Sequence, residues 1–347
     1  MLKSNFMQNI DYGKIIKRSW ELTWKNKWLW VMGLVLAAFG GGSGGGGGSG
    51  GGGSANTNLP NASLSPGPTN IQNIRQQTSY VLGEATNIFK NWVTGIPVGT
   101  WILLGLLILI VAVFTTAVIW VLTSWAKGAL IAGLNMADMD ESVDLKNVSP
   151  KGIAKIKDLI IFNLISSGIT TVLILGIIFI IGIGFLIKLL IPVLGIIWLI
   201  LFGIVGVLGF IISMVLFVML SIYAERLIVL KNYSPWNAWK KGLSLSKGNF
   251  IPTFVMGLIN SVIGCTSGCV GLLLLGLVFG IPGYFLIAPS FDNGFHFPGI
   301  GQIIGIAILF LIFVSINSLI KAVFIVFNYG NWNLLFKEIF NEEVKNE

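Results

Sequence analysis

The stretch Ser221–Leu258, SIYAERLIVLKNYSPWNAWKKGLSLSKGNFIPTFVMGL, decides how the rest of the chain is read. An apolar run ends at Glu225-Arg226, a basic segment carrying Trp236 and Trp239 follows, and a second apolar run opens at Phe250 after Gly248-Asn249. Ser234-Pro235 supplies a helix start, with Ser at the cap and Pro at the first helical position, where a missing N–H is harmless. Trp236, Trp239 and Leu243 then form an apolar stripe on a helix that also carries Lys240, Lys241 and Lys247. A cationic, indole-bearing amphipathic helix feeding a long apolar run is the pattern of an interfacial helix beside a membrane span.

Composition extends that reading to the whole chain. Of 347 residues, 54% are hydrophobic and 10% charged, and the mean hydropathy is +0.85. Soluble domains carry about 25% charged residues, so lipid must be the solvent for much of this surface. The net charge of +8 does not point to nucleic acid, because the basic residues cluster beside apolar runs. The two cysteines, Cys265 and Cys269, lie four apart in one apolar run and make no disulfide framework.

Taken in order, residues 1–27 read as a cytoplasmic amphipathic segment. Lys17 and Arg18 sit beside Trp20 and Trp24, and Trp28 continues the indole stripe at helical spacing. A short first span covers 28–40. Its resemblance to a signal-peptide core ending at Leu36-Ala37-Ala38 is set aside because the polar region before it is too long. An extracytoplasmic region, 41–97, follows. The tract from Gly40 to Ser54, GGGSGGGGGSGGGGS, has no side chains to pack and lacks the Gly-Lys-Ser/Thr of a phosphate loop. It reads equally as natural low complexity and as an introduced linker. Ile71, Ile74, Val81, Ala85, Ile88 and Trp92 then trace the apolar face of a helix on the far side of the membrane.

A membrane domain, 98–335, holds spans 2 to 6, and an acidic tail, 336–347, ends the chain. Span 2 covers 98–123. The next loop carries Asp138, Asp140, Glu141 and Asp144, which lack the EF-hand pattern and read as solvated. Ser149-Pro150 reads as the start of the helix entering span 3. The apolar region 159–222 exceeds twice the ~20 residues of one span and divides at Lys188–Pro192. Span 5 lies within 250–288, with a bend expected near Pro252 or Pro282, and span 6 covers 300–327. On this layout only Arg75, Lys90, Lys188 and Lys321 fall outside four segments sharing one side. That asymmetry places both termini in the cytoplasm. The expected fold is therefore an all-α integral membrane protein with six transmembrane helices and cytoplasmic amphipathic helices.

Lys14–Asn26 before span 1 echoes Trp239–Asn249 before span 5. Met32-Gly33-Leu34 matches Met256-Gly257-Leu258, and Ser149-Pro150 echoes Ser234-Pro235. These correspondences suggest three repeats of an interfacial helix and a two-span hairpin. Ser19–Asn26 with Leu29-Trp30 and the Gly tract, and Tyr223-Ala224-Glu225-Arg226 through Asn249, carry a resemblance over about a quarter of the chain. They resemble the membrane domain that accompanies some glycerophosphoryl diester phosphodiesterases. The resemblance implies a helical domain of unassigned activity in a prokaryotic inner membrane. It does not imply phosphodiesterase chemistry, because no catalytic domain follows span 6 and no His/acid cluster is present.

The residues offer few chemical sites. The single histidine, His296, lies near Asp292 in a loop that reads as a wet hairpin connection. Cys265 and Cys269 are too few to hold a metal, and Gly264–Gly268 reads as a small-residue packing face. No catalytic residue, metal or cofactor is expected. Lys321 is the exception, since an ionisable group within a span is costly. Asn317 and Ser318 lie one turn before it, and Asn260 on span 5 offers a matching polar face. These four define a candidate hydrated site, against which stands simple snorkelling of Lys321 to the interface. Glu225-Arg226 reads as an interfacial anchor. The expected function is a non-enzymatic, lipid-contacting scaffold or accessory membrane domain. Lys17, Arg18, Trp20, Trp24, Trp236, Trp239, Lys240 and Lys241 would meet anionic lipid, and nothing specifies a protein partner. The alternative is a small-solute or lipid transporter with a polar cavity between spans 5 and 6.

Overall fold

The computed structural model describes residues 10–39, 97–287 and 299–346, and within them every regular element is helical. The Gly tract, the far-side helix expected over 71–92, and the loop holding Asp292 and His296 lie outside the described residues. The chain divides into two units, Gly50–Val118, and Met1–Ser49 together with Ile119–Glu347. In the first of these units, residues 98–118 are helical and the side chains described are mostly exposed. The account of packing below concerns the second.

Helix α1 (Tyr12–Lys25) begins where the Asp11 carboxylate accepts the Lys14 N–H at 2.9 Å and ends at Asn26, whose side-chain amide donates to the Leu22 carbonyl. Helix α2 (Leu29–Phe39) follows and is 11 residues long, or ~16 Å at 1.5 Å per residue. That is about half of a ~30 Å hydrocarbon layer, so the first expected span is, as described, too short to cross alone. Among the described residues, five helices are long and apolar enough to do so.

Helix α3 (Val98–Asp138) is the first of them. Helix α4 (Leu145–Leu190) starts earlier than Ser149-Pro150 suggests. Asp144 is the cap, accepting the Leu145 N–H at 2.9 Å, and Pro150 lies inside the helix. A local carboxylate acceptor outcompeted the Ser-Pro signal. Helix α5 (Pro192–Lys231) begins after a break at Ile191, where the sequence placed the turn, and Asn232 closes it in the left-handed conformation at φ 57°. Helix α6 (Pro235–Gly248) has Ser234 at its cap position, although no side-chain bond forms there. Helix α7 (Phe250–Leu275) leads through a π-helical turn (Gly276–Gly280) into α8 (Ile281–Ile287). Pro282 lies just beyond that turn, so the interruption falls at the second of the two proline positions expected. Helix α9 (Ile300–Asn346) ends the described chain.

Each long helix joins two stretches of different solvation. Residues 98–123, 167–190, 192–218, 261–286 and 300–321 are exposed or half-exposed wherever their side chains are described, save a few glycines. Their surface is apolar, as in Ile102, Phe179, Ile212, Leu272 and Leu311. All five stretches are long enough to pass through hydrocarbon. The remaining ends of α4, α5, α7 and α9, and residues 124–138 of α3, instead bury side chains against α1, α2 and α6. One cluster gathers Ile15, Leu159, Tyr223, Leu227, Trp332 and Phe336. Another gathers Leu22, Met32, Leu130, Leu134, Val326 and Tyr329. Helices α1 and α9 contribute to both. Residues 336–340 therefore belong to this core, with Phe336 and Ile339 buried, rather than to a tail.

Close backbone approach holds the core together. A Cβ on Gly152 of α4 would stand 2.7 Å from the Trp125 carbonyl oxygen and 2.8 Å from Ala129 N, both on α3. A Cβ on Gly33 of α2 would stand 2.5 Å from the Ala322 carbonyl oxygen of α9. The acidic loop, expected to be solvated, instead clasps this core. Asp138 accepts Lys337 Nζ at 2.7 Å and Arg18 Nε at 3.3 Å, while Asp140 accepts Lys25 Nζ at 3.4 Å. The second expected repeat has no separate surface helix, because α4 runs unbroken from Leu145 to Leu190.

Candidate functional site

The strongest polar constellation joins α3, α4 and α5 just inside the buried ends of these helices. Lys127 Nζ donates to Glu225 Oε1 at 2.7 Å, and both side chains are about 95% buried. Glu225-Arg226 is thus not an interfacial anchor: the α5 register turns both residues into the core. The Arg226 guanidinium is held by the carbonyls of Ile222 at 2.8 Å and Tyr329 at 3.4 Å, and lies 5.6 Å from the Tyr329 ring centroid. Its direct contacts are carbonyls and a π face, with the Glu225 carboxylate near but hydrogen-bonded to Lys127. Lys127, Glu225 and Arg226 therefore leave one positive charge in excess.

A cleft of about 370 Å³ opens from this pair. Asn163, Ser166, Ser167, Thr170 and Thr171 line it from α4 at helical spacing, and Phe217 and Ser221 line it from α5. The helices run antiparallel, so the polar rows extend together from the ion pair toward the apolar stretches. Ser167 and Thr171 are exposed at the outer end. Ser166 is 7% exposed, and its hydroxyl Oγ is buried without a hydrogen-bond partner. An unpaired buried hydroxyl forfeits about 1–3 kcal/mol, so a ligand acceptor or donor at this point would gain by meeting it.

The four residues singled out around Lys321 do not assemble. Asn260 is buried and accepts from Asn331 Nδ2 at 2.8 Å. Asn317 instead faces α7 at Gly271, where an added Cβ would stand 3.1 Å from Asn317 Oδ1. Positions 317 and 331 are ~21 Å apart along α9 at 1.5 Å per residue, so one cavity does not unite them. Lys321 is exposed, at the point where α9 passes from its exposed to its buried stretch, and Ser318 is half-exposed beside it. A Cβ on Gly268 would meet nothing within 4 Å, and Cys265 and Cys269 are exposed. A more apolar hollow of about 260 Å³ lies between α5 and α7, lined by Met214, Val218, Phe254 and Trp332.

The interfacial residues fare differently from one another. Trp20, Trp24 and Trp236 are 47%, 44% and 50% exposed. Lys240 Nζ lies 5.4 Å from the Trp236 ring centroid, and Trp236 stacks on half-buried Trp239 at 5.7 Å. Lys17 is exposed, whereas Arg18 is engaged by Asp138. Lys241 is half-buried on α6. Among the described residues no three His, Cys, Asp or Glu side chains gather as metal ligands would. No family model, curated protein or solved structure matches the chain.

Proposed function

We propose that this chain is a non-enzymatic, multi-pass protein of a prokaryotic inner membrane, a scaffold or accessory domain that meets anionic lipid through α1 and α6. The observation carrying this reading is the exposure of Trp20, Trp24 and Trp236 beside lysines on two surface helices of one core. Indoles exposed next to apolar helix surface favour the headgroup layer, and each lysine near an anionic surface adds about 1 kcal/mol. The motif resemblance to the phosphodiesterase-associated membrane domain supports the same placement. Replacing Trp20, Trp24 and Trp236 with Ala and Lys17 and Lys240 with Gln should lower the phosphatidylglycerol retained beyond a first equivalent on extraction by about tenfold, on the same scale. Retention equal to that of the wild type would remove the lipid-contact role.

The same reading gives six crossings with both ends in the cytoplasm. Helices α3, α4, α5, α7 and α9 alternate in direction, and α1 packs with the buried end of α9. Five crossings would put α1 and that end on opposite faces, so the reading requires an even number. With Cys265 and Cys269 changed to Ser, single cysteines at Asp11, Lys146 and Leu190 test this with a membrane-impermeant thiol reagent. Positions 11 and 146 should resist external labelling in intact cells and position 190 should accept it. Opposite behaviour of 11 and 146 would require an odd count.

A further inference from the structure

We propose that the cleft between α4 and α5 binds the phosphate-bearing headgroup of an anionic membrane lipid, with the acyl chains lying along the exposed apolar stretches beyond it. This rests on the membrane placement argued above but not on lipid contact by α1 or α6.

Three observations converge on that occupant. The first is charge: the Lys127–Glu225 pair lines the cleft, and Arg226, buried behind it on the Tyr329 side, brings the group to one net positive charge. Such an excess is expensive without a counter-ion. Lys127 gives one of its three N–H donors to Glu225, so a second acceptor beside it completes the ammonium's bonding. The second is the orphan hydroxyl of Ser166, buried in the wall of the cleft. A phosphate oxygen accepts from such a group as readily as from an ammonium. The third is the direction of the cleft. Its polar rows end at exposed Ser167 and Thr171, and exposed Val172, Leu175 and Phe179 follow on α4. A free anion has no use for that surface, whereas acyl chains do. The volume of about 370 Å³ falls within the range of small-molecule sites.

The full-length protein, delipidated in neutral detergent and titrated with phosphatidylglycerol under native mass spectrometry, tests the assignment. One adduct should saturate first. Ser166→Ala, which removes the hydroxyl without adding bulk to the wall, and Ser167→Trp, which fills the mouth, should each weaken that adduct about tenfold. The Trp20/Trp24/Trp236 surface variant should leave it unchanged. Phosphatidylcholine, which carries no net charge, should form the same adduct at higher concentration only. Equal affinity in wild type and both cleft variants overturns the proposal, as does equal affinity for the two lipids. Loss in the surface variant alone would preserve lipid contact by α1 and α6 while removing the cleft. Displacement by equimolar inorganic phosphate would make this a site for a free anion instead. On the unaltered chain, phosphatidylglycerol bearing a headgroup photocrosslinker should mark residues 163–171. Marks confined to α1 and α6 would refute the cleft without recourse to any variant.

Discussion

Changing Glu225 to Ala should destabilise the protein by about 3–5 kcal/mol, the range for removing one partner of a buried ion pair. Lys127 would lose its 2.7 Å acceptor while remaining almost wholly buried. Arg226 would then lie beside a second uncompensated cation instead of a neutral pair. Coulomb repulsion at low effective dielectric adds to the desolvation already incurred. The converse change, Lys127→Met, should cost less, because Arg226 remains near to offset the Glu225 carboxylate. Combining Lys127→Met with Glu225→Ala removes both charges and should recover much of the loss, since neutral replacements of buried pairs are often tolerated. Thermal melting of the four proteins in one detergent, treated as a double-mutant cycle, gives the coupling directly. If the two single losses simply add in the double variant, the pair is not the electrostatic centre of this core.

Gly152→Val should be comparably damaging for a different reason. Its Cβ would stand 2.7 Å from a carbonyl oxygen and 2.8 Å from a backbone nitrogen of α3, neither of which can turn aside as a side chain can. The helices must separate, which opens the surrounding core and costs about 3 kcal/mol or more. Even Gly152→Ala should be clearly destabilising. Gly268→Ala provides the contrast, since nothing lies within 4 Å of the added methyl. There the helix preference for Ala over Gly should stabilise by about 0.5–1 kcal/mol. Melting temperatures moving in opposite directions for the two glycines would support the packing described, and equal effects would contradict it.

The helix layout was legible because lipid imposes long apolar runs and leaves charges at their ends. The break at Ile191, the start at Pro235 and the interruption near Pro282 all follow from local chain chemistry. The cleft was not legible. Lys127 and Glu225 are 98 positions apart; Glu225 reads as a membrane-edge anchor, and Lys127 as one of the basic residues of the loop after an apolar run. The available signal was the apolar continuation beyond Lys127, where Ala129, Leu130 and Ile131 allow no water-exposed turn. An ionisable group inside such a run needs a partner. Lys321 drew attention by the same rule, yet its helix turns it outward. Position along a span is readable from one sequence, whereas rotation about the helix axis is decided by neighbours far away in the chain. The two motifs behind the family resemblance show the same limit. They supply core residues, including Ser19, which donates to the Phe327 carbonyl at 2.8 Å, and Tyr223, which meets Thr253.

Both buried clusters draw on α1 and on α9, the earliest and the latest helices to be synthesised among those described. The spans between them can enter lipid one after another, but neither cluster can be completed until residues 322–340 have left the ribosome. Until then Lys127, Glu225 and Arg226 lack the Tyr329 side of their enclosure. Biogenesis of this protein thus has a late checkpoint. A nascent chain halted before α9 would present a half-built polar centre to membrane quality-control proteases, and turnover of such fragments should be fast even though every earlier helix is inserted.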